Sequence, residues 1–232
     1  MKPVCLITGA AGRLGTALCT ELLDAWNIIA VYRSKPPIVD SQLRIRVPNI
    51  LEYDPRVTAE SSVHCIQADL SVPEDIRRVT EVALARFGKV DAIVNSAADT
   101  KFHGYLTELW DSPASSQQQM LVNSIAPFQL ISAIHQASWK DTPFENAKWN
   151  RSIVNVSSQS ALSVTHDRGQ AVYSASKAAM NMLSMYLALE LAPYSVRVNT
   201  LCPGRFTTET STAIVVKSVR QLLEGEITGT VA

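Results

Sequence analysis

The sequence predicts an α/β fold: a single-domain, doubly wound parallel sheet with helices on both faces. Three observations carry this. Short apolar runs alternate with longer segments of helical periodicity along the whole chain, as strands and crossover helices of parallel α/β domains do. The runs are apolar throughout, as befits strands buried on both faces. No internal repeat or low-complexity stretch interrupts them. The 232 residues, 47% of them hydrophobic, therefore read as one domain, residues 1–232, with a substantial core.

Pro3-Val4-Cys5-Leu6-Ile7-Thr8 is the first strand. It feeds Gly9-Ala10-Ala11-Gly12-Arg13-Leu14-Gly15, and a helix follows from Thr16 to Ala25. Strand, glycine turn and helix in this order suit a Rossmann-type nucleotide site. The glycines permit a sharp turn, and the helix N-terminus offers unpaired N–H donors and a positive dipole end. An ordinary tight turn is the alternative. Asn27 to Tyr32 is the second strand, and Tyr32, Arg33, Ser34 and Lys35 follow where an acid would otherwise meet the adenosine ribose. A cation there suits a 2′-phosphate, which favours NADP(H) over NAD(H); a solvated basic loop is the other reading.

Residues 35–62 form an irregular crossover insertion, punctuated by Pro36, Pro37, Pro48 and Pro55, with room for a short hairpin around Leu43–Val47. Val63 to Ala68 is strand-like and ends in Asp69-Leu70. Ser71 caps a helix with Pro73 in its first turn, an apolar face of Ile76, Val79, Val82, Ala83 and Phe87, and Gly88 after its end. Asp91 to Asn95 is the fourth strand, and Ser96-Ala97-Ala98 leave space for a flat ligand at its end.

Residues 107–137 read as helical, with a break at Ser112-Pro113 and a main helix from Ser115 to Ala137 kinked by Pro127. Asn123 sits inside the apolar pattern beside that kink, a functional candidate, although a satisfied core asparagine fits these residues equally well. Trp139 to Asn150 is a polar loop. Ser152 to Val156 is the fifth strand, and Ser157-Ser158 stand at its carboxyl end, where parallel sheets bind ligands. His166, Asp167 and Arg168 in the next loop read as solvated. A long helix runs from Ala171 to Leu191 and ends at Pro193. It carries Tyr173 and Lys177 four apart, hence on one face. A phenol titrates near ~10, and a neighbouring ammonium lowers that value, so the pair can work as an acid and base. By itself the pair is common on solvated helix faces. Val196 to Leu201 is the sixth strand, turning out through Cys202-Pro203-Gly204. Residues 212–223 suit a last helix.

Lys+Arg and Asp+Glu balance at 21 each, which gives no reason to expect nucleic acid or an anionic membrane as partner. Cys5, Cys19, Cys65 and Cys202 are scattered without metal-ligand spacing, so reduced thiols and no metal site are expected. No apolar run approaches about 18 residues, so no membrane span is expected. The first strand begins almost at once, and a cytoplasmic protein is the default expectation.

Taken in order, these residues resemble the short-chain dehydrogenase/reductases, closest to the classical branch, from Val4 to Thr208. Thr8-Gly9, Gly12 and Gly15 resemble the family's cofactor turn. Asp69-Leu70 resembles its adenine-contacting pair, and Asn95-Ser96-Ala97-Ala98 its Asn-Asn-Ala-Gly. Asn123 falls where the family has a helix asparagine, and Ser157-Ser158 precede Tyr173-x-x-x-Lys177. Arg197-Val198-Asn199 with Pro203-Gly204 and Thr208 is similar to the segment that folds over the nicotinamide. The resemblance implies hydride exchange between NADP(H) and a small carbonyl or alcohol. Tyr173 would move the proton and Ser158 would bind the substrate oxygen. Lys177 would lower the tyrosine pKa and hold the ribose, and Asn123 would position a relay water. It also implies a homodimer or homotetramer packed through the helices carrying Asn123 and Tyr173, with Met180, Leu183, Leu187 and Leu191 as candidate contacts. Two other classes stay open: a non-catalytic nucleotide-binding regulator and a scaffold subunit.

The chain departs from the family pattern in four places. Arg13 stands where a glycine is usual. If that position needs positive φ, Arg13 is strained by about 1–2 kcal/mol. On a different path Gly12 makes the close approach, and Arg13 reaches the 2′-phosphate beside Arg33. Ala98 replaces glycine, and the 35–62 crossover is irregular. Residues 204–226 make only a short substrate-side segment before a short or incomplete final strand. Ser160, Leu162, His166 and the stretch after Gly204 are the expected substrate-pocket residues.

Overall fold

The computed structural model describes residues 2–39, 44–46, 63–111, 113–164 and 169–232. Its strands are β1 (Val4–Thr8), β2 (Asn27–Tyr32), β3 (Arg44–Arg46), β4 (Val63–Gln67), β5 (Ala92–Asn95), β6 (Ser152–Val156) and β7 (Arg197–Leu201). They form one parallel sheet in the order β3-β4-β2-β1-β5-β6-β7. The helices are α1 (Arg13–Glu21), α2 (Pro73–Phe87), α3 (Pro113–Met120), α4 (Ala126–Ile134), α5 (Pro143–Lys148), α6 (Ala171–Leu191) and α7 (Glu209–Glu224). The chain winds outward from β1 in one direction, then returns to lay β5 on its other side. That reversal opens a crevice at the carboxyl ends of β1 and β5.

Alternation along β1 shows why helices cover both faces. Val4 and Leu6 point into a core shared with Ile76 and Val79 of α2 and with Leu130 and Ile134 of α4. Cys5 and Ile7 point the other way, toward Leu14 and Leu18 of α1 and Val219 and Leu223 of α7. Period-two strands between two helical layers leave no polar face.

Several expectations are corrected. Arg44–Arg46 pairs parallel to β4 through Arg44–Val63, Ile45–His64 and Arg46–Cys65. Among the described residues it is an edge strand of the main sheet; Leu43, Val47 and residues 48–62, on which the expected hairpin depends, lie outside the described residues. The long helix around Asn123 is not simply kinked at Pro127. A 3-10 turn (Leu106–Asp111) precedes α3, and a π turn (Leu121–Ile125) separates α3 from α4. Pro127, which has no N–H to donate, then falls in the first turn of α4, where none is needed. The expected loop after Trp139 holds α5, started by Pro143. Asn146 anchors it by donating to the carbonyls of Trp139 and Tyr194, both at 2.8 Å.

Of residues 204–226, Gly204, Arg205 and Phe206 line the crevice, whereas most of the rest forms α7. Thr208 caps α7 in a reciprocal capping box with Ser211, and α7 sinks Val215, Val216, Val219, Leu222 and Leu223 into the core beside α1. Arg197 holds the far end of that helix, donating to the carbonyls of Leu222 (3.0 Å) and Leu223 (2.7 Å). From the stretch before α7, Pro203 lines the crevice together with Gly204, Arg205 and Phe206. The last residues lie parallel beside β7: Thr200 N–H donates to Thr230 O (2.8 Å) and Ala232 N–H to Thr200 O (3.0 Å), with a single bridge at Thr200–Val231. A short final strand is what the sequence led us to expect.

Candidate active site

The crevice is a cavity of about 980 Å³. The glycine turn lines one end, and Ser158, Tyr173 and Lys177 line it further along. Gly9 has φ +66°, and a Cβ there would lie 2.7 Å from the backbone of Ala97. At Gly15 a Cβ would lie 2.3 Å from Gly9 O. These two positions require glycine because main chain presses on main chain. Gly12, with φ −76° and an imagined Cβ 3.3 Å from Gly9 O, is less crowded than either. Gly12 lines the cavity, where a cofactor could approach its backbone, whereas Gly15 packs within the turn. Arg13 begins α1 in helical geometry and is not among the left-handed residues, so the strain considered for it is not present. No side chain caps the N-terminus of α1. Its first N–H groups open beside Gly12, Arg13 and Leu14 on the cavity, a cradle that fits a dinucleotide's phosphates.

Val31, Tyr32, Arg33, Ser34, Ala68, Asp69 and Leu70 line the next part of the cavity. Arg33 is exposed there, and its carbonyl accepts from Gln67 Nε2 at 3.0 Å. Asp69 Oδ1 accepts from both the amide (3.0 Å) and the hydroxyl (2.7 Å) of Ser71, which fixes the turn into α2. Ser96, Ala97, Pro203 and Gly204 close the wall.

Tyr173 and Lys177 lie on the first turns of α6, opposite Ser158. The Tyr173 hydroxyl is hydrogen-bonded to Ser158; burial pushes the phenol above its ordinary value, and that bond opposes the rise. Lys177 is 2% exposed, and its Nζ donates to Val156 O at 2.8 Å. Burial pushes its pKa down from 10.5 to about 8. The expected lowering of the Tyr173 pKa by Lys177 is thus not found. The ammonium is turned onto a strand carbonyl, and desolvation dominates at both residues. Ser157 braces α6, its hydroxyl donating to Lys177 O at 3.2 Å.

Asn123 is fully buried and stands behind the cavity wall that its neighbour Val122 lines. Its Oδ1 accepts from Asp99 N–H (2.7 Å), and its Nδ2 donates to Asp99 O (2.9 Å) and to Ser176 Oγ (3.0 Å). Ser176 in turn donates to Tyr173 O at 2.7 Å. Asn123 thus ties the segment after β5 to the turn that carries Tyr173. The π turn offers the extra backbone width for this, and such turns recur at functional sites.

Of the expected cofactor contacts, Thr8, Asn95 and Gly15 stand buried behind the wall, and Thr208 is exposed at the start of α7. Thr8 Oγ1 accepts from Ser96 N–H and Ala97 N–H, both at 3.2 Å, and joins the ends of β1 and β5. Asn95 donates to Asn155 Oδ1 at 2.8 Å. Gly15 packs on the turn, and Thr208 caps α7. Of the expected pocket residues, Ser160 lines the cavity, Leu162 is 60% exposed outside it, and His166 lies outside the described residues. The sequence reading missed Asn155, Ser176, Thr100, His103 and Gln170. Gln170 had a signal, since it falls three residues before Tyr173; His103 had none.

Among the described residues no group of three or more His, Cys, Asp or Glu side chains can hold a metal, and no helix is long and apolar enough to cross a membrane. Cys5, Cys19 and Cys65 are buried free thiols and Cys202 is half-buried.

Residues 3–218 match the family described as short chain dehydrogenase. The chain is 27% identical over 227 residues to the 3-hydroxyacyl-CoA dehydrogenase type-2 of Bos taurus, covering 97% of this chain and 80% of that one. A short chain dehydrogenase from Leptospira borgpetersenii with bound NAD+ superposes with a TM-score of 0.79 at 21% identity, covering all of this chain and 90% of that one. An actinorhodin polyketide ketoreductase variant with NADPH gives 0.77 at 19% identity, covering 99% and 94%. Both share this fold.

Proposed function

The chain belongs to the short chain dehydrogenase family, and from that premise we propose that it moves a hydride between NADP(H) and a carbonyl or alcohol substrate. One observation carries the reading: a single cavity holds an uncapped helix N-terminus behind a glycine turn at one end and Ser158, Tyr173 and Lys177 at the other. A regulator needs the first but not the second.

The nicotinamide, when bound, supplies or accepts the hydride. The residues do the rest. Ser158 donates to the substrate oxygen, and Tyr173 passes the proton to that oxygen or takes it away. The lowered pKa of Lys177 makes its ammonium ready to share a proton near neutral pH, and it stands on the same helix face to hold the ribose. Asn123 acts by fixing the turn under Tyr173 through Ser176; a water beside the π turn would complete the relay. Arg33, with Arg13 beside the turn, supports a 2′-phosphate and hence NADP(H), although solved relatives of this fold hold either cofactor.

Pairing of two copies through α6 is part of the reading. Of the residues first considered, Met180 and Leu191 are buried, Leu187 packs partly buried against the core, and Leu183 is exposed; Met182, Met185, Tyr186 and Leu189 are exposed beside it and would form the contact with it.

The decisive measurement is Tyr173→Phe. Turnover with carbonyl substrates should fall at least about 100-fold, the scale of one positioned acid–base group, while cofactor affinity by fluorescence titration stays within a few-fold. Retained turnover would sink the mechanism.

A further inference from the structure

His103 and Gln170 line the same cavity as Ser158 and Tyr173 but belong neither to the proton relay nor to the nucleotide cradle. Two loops bring them together. Gly104 N–H donates to Gly169 O at 3.1 Å. Gly169 has φ +82°, and a Cβ there would lie 3.0 Å from Gly104 N, so the two backbones touch at the residues next to His103 and Gln170. Gln170 also precedes α6, where its carbonyl accepts from Ser174 N–H at 2.9 Å. Three residues before Tyr173, it stands at the N-cap of α6 and lines the cavity with the phenol. Thr100 and Ser160 add hydroxyls to this end of the cavity, and Val122 supplies an apolar wall.

A purely apolar substrate would cover these polar groups without pairing them, which costs free energy at each one. We propose that the substrate carries a hydroxyl beside its reactive carbonyl, a hydroxyketone or hydroxyaldehyde, and that His103 and Gln170 bind that second oxygen. Imidazole and carboxamide each donate and accept, which matches a hydroxyl. The inference rests on the hydride-transfer reading and names its substrate class.

The test uses the full chain with NADPH and a pair of ketones of equal heavy-atom count, 1,3-dihydroxypropan-2-one and pentan-3-one, with 2-oxobutanoate as a keto-acid arm. The hydroxylated ketone should lead in kcat/KM by at least about tenfold, since a site built to bond a hydroxyl rejects its apolar analogue strongly. His103→Leu and Gln170→Leu should each shrink that ratio several-fold while cofactor titration shows an intact site. Equal or inverted rates, a lead for the keto acid, or an unchanged ratio in both variants would overturn the inference. Turnover confined to other carbonyls in a broad panel would overturn it too and leave the hydride-transfer reading standing. No turnover of any carbonyl would bring down that reading and the inference with it.

Discussion

Replacing Lys177 with methionine should make the protein more stable and less active. The side chain is enclosed, its ammonium donates to Val156 O at 2.8 Å, and the sulfur of Met180 lies 3.8 Å away. The fall in pKa from 10.5 to about 8 means that near pH 7 the buried charge costs the folded state about 3 kcal/mol. Methionine keeps the length of the stem and removes the charge. It also leaves the Val156 carbonyl without this donor, at a cost of about 1 kcal/mol. The net gain is about 2 kcal/mol, or roughly 4–8 °C in Tm for a chain of this size. The pH dependence gives a second check. The unfolded chain keeps this proton up to 10.5, whereas the folded chain releases it near 8. Between those values the unfolded state binds more protons, so wild-type stability rises with pH and the advantage of Lys177→Met closes. Thermal melts of both proteins near pH 7 and near pH 10 read this directly. A variant no more stable near pH 7, or a gap that is the same at both pH values, would refute the reasoning. Lost turnover beside raised stability would mark Lys177 as a site where function is held against the fold.

Three further outcomes are expected. Gly15→Ala should lower stability by about 1–3 kcal/mol, because its Cβ meets Gly9 O at 2.3 Å, and Gly12→Ala, whose Cβ would stand 3.3 Å from the same oxygen, should lower Tm less; melting of the pair decides it. Ser158→Ala removes the bond that opposes the upward shift of Tyr173, so the pH profile of kcat/KM for alcohol oxidation should inflect at higher pH than in the wild type, and an unmoved inflection would count against the Tyr173 assignment. Wild-type kinetics should favour NADPH over NADH, and Arg33→Ala should narrow the difference; equal use by the wild type would refute the 2′-phosphate reading.

The sequence by itself determined the alternation of strands and helices, the glycine turn and the order of the site residues. These are legible because buried strands, amphipathic helices and sharp turns each select residues by local geometry: uninterrupted apolar runs, a 3.6-residue period, glycine where the main chain crowds. β1, the glycine turn, and the Tyr173–Lys177 spacing on α6 are of this kind. What only the tertiary structure decided depends on contacts between distant segments. Gly15 rather than Gly12 is indispensable because Gly9 O folds over it. Asn123 is a clasp because Asp99 and Ser176 converge on it from two other elements. Residues 209–224 read as part of a short substrate-side segment in one dimension, yet their apolar face is matched by α1 and sinks into the core between that helix and the sheet. Most of all, the protonation of Lys177 follows from burial: four residues along a helix place it beside Tyr173, but the loss of water around both groups, which no local pattern encodes, sets the direction in which each pKa moves.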